Sequence, residues 1–119
     1  MSNHRAVGTD YEKKAAQYLE TLGYQIVELN FRCRQGEIDL IAKEDGYLVF
    51  VEVKYRSSRQ SGEPQEAVDL RKQRKISRTA AYYCMKRGIS AQQACRFDVA
   101  ACRQGEWLVI KNAFDYVGW

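Results

Sequence analysis

The chain has 119 residues, 45% of them hydrophobic and 29% charged, with a net charge of +4. That is enough for one domain with a real core, and the balance excludes a disordered polymer. No apolar run approaches the ~20 residues of a membrane span, and the start MSNHRAVGTDYEKK lacks the apolar segment of a secretory signal, so a cytoplasmic location is expected.

Residues 1–8 read as a flexible lead into a single domain covering 1–119. The first helix is expected from Asp10 to Leu22, with Thr9 as N-cap and Gly23 as its stop. Tyr11, Ala15, Tyr18, Leu19 and Leu22 give it an apolar stripe. Glu12 fits two roles. Thr9-x-x-Glu12 is a capping-box pattern, yet Glu12 also shares a stripe with Ala16 and Leu19 and could point at a sheet. The residues alone favour the cap. A short strand, YQIVELNFR, follows.

The next stretch, GEIDLIAKEDGYLVFVEVKYR, carries a hairpin signal at Asp45-Gly46, because type I′ turns need positive φ at both positions. With that turn Glu44 faces Tyr47, Asp39 faces Glu52 and Glu37 faces Lys54. Ile38, Leu40 and Ala42 then lie with Val53, Val51 and Val49 as a core layer. The other face carries Glu37, Asp39 and Ile41 against Lys54, Glu52 and Phe50. Beyond it, SSRQSGE is a loop signal. Pro64 suits the first turn of a helix running to about Arg87, with Gly88 as stop. A turn around Ser90 to Ala94 leads to a last hairpin, RFDVAAC and WLVIKNAF around RQGE. The order αβββαββ predicts an α/β fold, a central mixed sheet flanked by helices.

Two carboxylates one cross-strand spacing apart, roughly 5 Å between Cβ atoms, can share a hard divalent cation. Mg²⁺ takes a few carboxylate oxygens and leaves positions for water and phosphate. Such an ion polarises a phosphodiester and generates a nucleophile from water. Glu52-Val53-Lys54 adds a lysine on the face of Glu52, placed to stabilise phosphate charge or orient the attacking water. The bland reading is a solvated sheet face with cross-strand ion pairs, of which Glu37 and Lys54 would be one. Against it, Ile41 and Phe50 indicate a covered face, and opposed acids repel unless a cation lies between them. Spacing alone leaves both readings open.

Val68, Lys72, Ile76 and Ala80 recur at i, i+4, so Lys72 lies in the apolar stripe of the long helix. It can snorkel to water or reach a phosphate, and Gln73 lies one step round. Arg71, Arg74, Lys75 and Arg78, with Arg56 on the strand, form basic clusters suited to backbone phosphates. Tyr82 and Tyr83 read as core and rim, and Asp98 as a structural hydrogen-bonding acid. Cys33, Cys84, Cys95 and Cys102 include no C-x-x-C pair, and His4 is the one histidine. Zinc and histidine-activated nucleophiles are therefore disfavoured, and free thiols in a reducing compartment are expected.

At Glu37, Asp39 and Glu52-Val53-Lys54 the chain resembles the PD-(D/E)xK nucleases, which have the restriction-endonuclease-like fold. More closely, it resembles the bacterial YraN-type family, itself similar to archaeal Holliday-junction resolvases. GTDYEKKAAQYLETLGY, LNFRCRQGEIDLIA, LVFVEVKYR, AVDLRKQRKI and RFDVA carry the likeness in order along nearly the whole chain. The acid-x-Lys core alone is a weak motif, whereas GEIDLIA followed by FVEVK at this distance is far more specific. The resemblance implies Asp39 and Glu52 as metal ligands and Lys54 as catalytic lysine. It also implies Glu12 as an acid near the metal, reversing the preference for a cap, and Lys72 or Gln73 as the polar group on the following helix. Ile38 departs from the superfamily's proline at a position that does not touch the metal. The expectation is a Mg²⁺-dependent DNA endonuclease, with Mn²⁺ as substitute, acting on branched or structured DNA. A symmetric two-strand cut would need a homodimer. The alternative is a nucleic-acid-binding or adaptor module of nuclease fold that does not cut.

Overall fold

The computed structural model describes residues 3–56 and 68–118, with side chains from residue 10 and excluding that of Arg56. The elements are α1 (Asn3–Thr21), β1 (Gln25–Cys33), β2 (Gly36–Glu44), β3 (Tyr47–Arg56), α2 (Leu70–Lys86), β4 (Cys95–Arg103) and β5 (Glu106–Phe114). They form one five-stranded sheet in the order β1-β2-β3-β4-β5. Neighbours are antiparallel except β3 and β4, which run parallel. The parallel pair requires a crossover, and the segment containing α2 supplies it. The predicted αβββαββ order and mixed sheet are therefore what the chain adopts, and they fit a restriction-endonuclease-like core.

The helices bury two separate clusters against the sheet. Ala15, Ala16 and Leu19 of α1 pack with Tyr24, Leu40, Ala42, Val49, Val51 and Ala100. Ile76, Ala80 and Tyr83 of α2 pack with Phe31, Ile38, Ile41, Phe50, Phe97 and Val99. Both faces of the central strands are thus dry, and a charge placed there must find a partner. Ile38 joins the α2 cluster, not the Leu40 and Ala42 layer expected of it. Strict alternation would put Ile38 and Leu40 on one face. It fails beside Asn30, whose φ of +58° lies in the left-handed region, where the β1–β2 ladder skips from Leu29–Leu40 to Phe31–Ile38.

Both helices start elsewhere than expected. α1 begins at Asn3, seven residues before Asp10. Gly8 costs an α-helix only about 1 kcal/mol and no proline intervenes, so the helix runs through it. Thr9 is therefore inside α1, no helix N-terminus is present for a Thr9–Glu12 capping box, and Glu12 is released from that role. Gly23, at φ +98°, follows the helix end. α2 begins at Leu70, where Asp69 caps it by accepting the Lys72 backbone N–H at 2.9 Å. The expected loop at 57–63 and the start at Pro64 lie outside the described residues. Asp69→Ala should cost about 1 kcal/mol, read as a lower midpoint in urea with an unchanged slope. A midpoint equal to wild type would show that the cap contributes nothing.

Asp98 is fully buried in β4. It accepts from Tyr24 Oη at 2.6 Å, from Arg96 Nε and Nη2 at 2.9 Å each, and from the Asn112 backbone N–H at 2.9 Å. Arg96 also reaches Glu44 at 2.8 Å, and Lys111 bonds the same carboxylate at 3.1 Å. The acid that looked structural from its apolar surroundings is the hub of a network tying the start of β1, the end of β2, β4 and β5.

Candidate functional site

The Asp45-Gly46 turn forms as predicted, with φ of +53° and +82°. It sets Glu44 opposite Tyr47, and the ladder continues through Ile41–Phe50 to Leu40–Val51. There it ends, one step before Asp39 and Glu52. β2 stays with β1 as far as the Cys33–Gly36 pair, and β3 stays with β4 as far as the Arg56–Arg103 pair. The sheet forks at Asp39. Its carboxylate takes over the missing strand pairing by accepting the Val53 backbone N–H at 2.8 Å. Asp39 and Glu52 are therefore neighbours across a fork rather than a directly opposed pair.

Glu52 is 7% exposed and carries two lysines on one oxygen: Lys72 Nζ at 2.7 Å and Lys54 Nζ at 3.4 Å. Strand periodicity puts Lys54 beside Glu52, since Val53 points to the α1 cluster. Lys72 comes from the first turn of α2, at the sheet-facing end of its apolar stripe. Glu37, expected to partner Lys54, instead meets Arg32 across the β1–β2 ladder at 3.6 Å. Register explains the change, because β2 has left β3 before reaching Glu37. Gln73 donates its amide to the Val68 carbonyl at 3.0 Å and so fixes the start of α2. Arg71, Arg74, Lys75 and Arg78 are exposed along α2. The side chain of Arg56 lies outside the described residues.

Glu12 enters from the other side of the sheet. It is buried in the α1 stripe with Ala15, Ala16 and Leu19, lies beside Asp39, and leaves its Oε1 enclosed without a hydrogen-bond partner. A buried acceptor without a donor is rare in folded proteins and costs about 1–3 kcal/mol. Burial pushes the Glu12 carboxyl above its usual range, with the Glu37 charge adding to it and the neighbouring Asp39 carboxyl working against it. Asp39 is pushed further, from 3.8 to about 8, first by burial, then by the charges of Glu52, Glu12 and Glu37, with the Val53 N–H opposing. Burial likewise holds the Lys54 ammonium below the lysine range, aided by Lys72 and opposed by Glu52. At Lys72 burial acts downward too, but contact with Glu52 outweighs it and its proton is held more tightly than usual.

Three acids thus share one region with two ammonium groups on its far side. Among the described residues, no three Asp, Glu, His or Cys side chains converge closely enough to grip a metal as they stand. The donor chemistry still suits a hard cation: all are carboxylate oxygens, one is orphaned, and mutual repulsion raises the Asp39 pKa. A folded-state pKa above the unfolded one means that the folded chain keeps a proton the unfolded chain releases. Stability of the metal-free chain should therefore be greatest below pH 4 on this account and fall as pH rises from about 4 to about 8. Thermal denaturation in EDTA should show this decline, and Asp39→Asn should flatten it. An equal decline in the variant would remove Asp39 as its source.

A sequence model of the uncharacterised protein family UPF0102 matches residues 11–102, which include every residue of this site. UPF0102 proteins of three bacteria are similar to the chain over nearly its whole length. The Lachnoclostridium phytofermentans protein is 49% identical over 116 residues, covering 98% of both chains. The Persephonella marina protein is 46% identical over 108 residues, covering 91% of this chain and 92% of its own. The Symbiobacterium thermophilum protein is 46% identical over 115 residues, covering 92% and 97%. With the family match spanning the fork, α1 and α2 alike, the chain belongs to the UPF0102 family, the YraN-type family that its motifs resemble.

Proposed function

We propose that the chain is a metal-dependent nuclease that hydrolyses phosphodiester bonds in DNA, with branched or structured DNA as substrate. The observation that carries this reading is the orphaned Glu12 Oε1 beside Asp39, at a fork where Glu52 already holds two ammonium groups. A purely structural ion-pair cluster would have no use for the extra acid. Asp39 and Glu52 would hold Mg²⁺, or Mn²⁺ in its place, with Glu12 beside them. The bound cation would supply charge to polarise the phosphate and acidify a water.

The remaining work falls to side chains on the page. Lys72 Nζ, half-exposed, is placed to leave Glu52 for a phosphate oxygen and neutralise it. Lys54 Nζ, more enclosed, can donate to the developing charge or orient the attacking water, and its lowered pKa makes proton exchange easier than for a solvated lysine. Fork geometry keeps these groups rigid, since Asp39 is bonded to the β3 backbone and Gln73 secures α2. One small domain offers one such site, so a symmetric two-strand cut would take a homodimer. Among the described residues no helix is long and apolar enough to cross a membrane.

The test is cleavage of flayed, gapped and four-way DNA with Mg²⁺ or Mn²⁺ against EDTA, for wild type and for Asp39→Ala, Glu52→Ala and Lys54→Ala. Loss in all three supports the reading. Cleavage that survives all three, or a wild type that binds no divalent cation, would sink it. DNA binding without cleavage would favour the adaptor module.

A further inference from the structure

We propose that the groove between the β1–β2 turn and α2 holds the DNA phosphate next to the one at the fork, gripped by Arg32 and Lys75 and regulated in strength by Glu37. The proposal rests on the nuclease reading for its substrate and extends it to a second subsite. The groove is a concave region of ≈ 370 Å³ lined by Arg32, Cys33, Gly36, Glu37, Lys72 and Lys75. Three of these six residues are cationic, and Lys72 belongs to both places: it lines the groove and bonds Glu52 at the fork. A backbone leaving the fork past Lys72 would enter the groove without crossing another element.

Gly36 is what lets the groove form. Its φ is +149°, and a Cβ there would stand 3.0 Å from Thr79 Oγ1 and 3.4 Å from Lys75 Cγ. The hairpin end therefore lies directly against α2, and Lys75 lies alongside the glycine. Arg32 arrives from β1, paired with Glu37 across the ladder. That ion pair is loose: the separation is 3.6 Å and both side chains are 51% exposed. An exposed pair of this kind is worth 1 kcal/mol or less. A backbone phosphodiester, offering Arg two oxygens for a bidentate, singly charged contact, can displace Glu37 with little loss. Glu37 thus holds Arg32 in place in the free protein and repels the incoming phosphate. This predicts effects of opposite sign for two neighbouring residues that an exposed cation away from the groove should not share, whereas general surface charge would act through either cation alike.

The measurement is fluorescence anisotropy of a fluorescein-labelled flayed DNA in EDTA, where cleavage is absent, repeated over a range of salt. Arg32→Ala and Lys75→Ala should each weaken binding about 3- to 10-fold and lower the slope of log affinity against log salt by about one. Glu37→Gln should tighten binding by a similar factor, about 3-fold or more. Lys43→Ala, exposed and away from the groove, should leave both quantities as in wild type. All four residues are solvent-exposed, and matching melting temperatures would confirm intact folds. Wild-type affinity for both cation variants, weakening with Glu37→Gln, or no DNA binding by wild type would overturn the proposal. Cleavage assays run separately: cutting without the groove effects leaves the nuclease standing and removes the subsite, and groove effects without cutting do the reverse.

Discussion

Glu52→Gln should slow DNA cleavage by on the order of 10²–10³-fold, the scale for removing one electrostatic contact to a transition state. The substitution keeps the side chain's shape and one acceptor oxygen, so packing around the fork is preserved. What goes is the charge that faces Lys54 and Lys72 and would hold the cation. Lys54→Met should be equally slow for a different reason, and the two can be told apart without activity. Glu52→Gln should bind Mn²⁺ weakly in calorimetry. Lys54→Met should bind it at least as tightly as wild type, because a competing ammonium has left Glu52. Full cleavage by Glu52→Gln would remove Glu52 from the chemistry, and equal Mn²⁺ binding by the two variants would remove it from the cation site alone.

The residue types at this site could be read from the chain, but their geometry could be read only in part. Asp45-Gly46 fixed the hairpin register, and the register placed Leu40 against Val51 as expected. Extrapolating one more pair failed, because strand pairing is a cooperative property of the sheet. β2 is held by β1 and β3 by β4, and nothing in the residues of the hairpin itself says where those allegiances diverge. The same divergence moved Glu37 from Lys54 to Arg32 and Ile38 to the α2 side. Asn30 offered a hint, since asparagine tolerates the left-handed region better than most residues, yet one asparagine in a strand is ambiguous. Glu12 shows the opposite case. Its i+4 and i+7 neighbours, Ala16 and Leu19, already marked it as inward-facing. The local capping pattern obscured this only because the helix start was placed at Asp10. Nothing local in the sequence marks Arg32 and Gly36 as groove residues: the groove depends on the approach of α2, from a distant part of the chain.

Asp98→Ala should destabilise the fold by about 3–5 kcal/mol, the range for removing one partner of a buried ion pair. Four donors converge on this carboxylate, and the loss would leave Arg96, itself 8% exposed, with Glu44 as its remaining acidic partner among these contacts. The Tyr24 hydroxyl and the Asn112 N–H would lose their acceptor at once. Total stabilities of small domains run about 5–15 kcal/mol, so Asp98→Ala could fall near the threshold of folding. Asp98→Asn provides a graded comparison: its amide oxygen can still accept from the Asn112 N–H, while the charge and the second acceptor oxygen, which takes Tyr24 Oη and Arg96 Nη2, are lost, so it should sit between wild type and alanine. Tyr24→Phe removes two hydrogen bonds, the one donated to Asp98 and the longer one accepted from Arg96 Nη2 at 3.3 Å, and should cost about 1–2 kcal/mol. Adding Arg96→Met to Asp98→Ala should recover part of the loss, because the stranded guanidinium, rather than the missing attraction, dominates the penalty. Urea denaturation of these five proteins and of Arg96→Met alone would measure the ladder and close the double-mutant cycle. If Arg96→Met worsened the Asp98→Ala chain by its own full cost, the two residues would be energetically independent, and Asp98 would be a packing residue rather than the hub of a network.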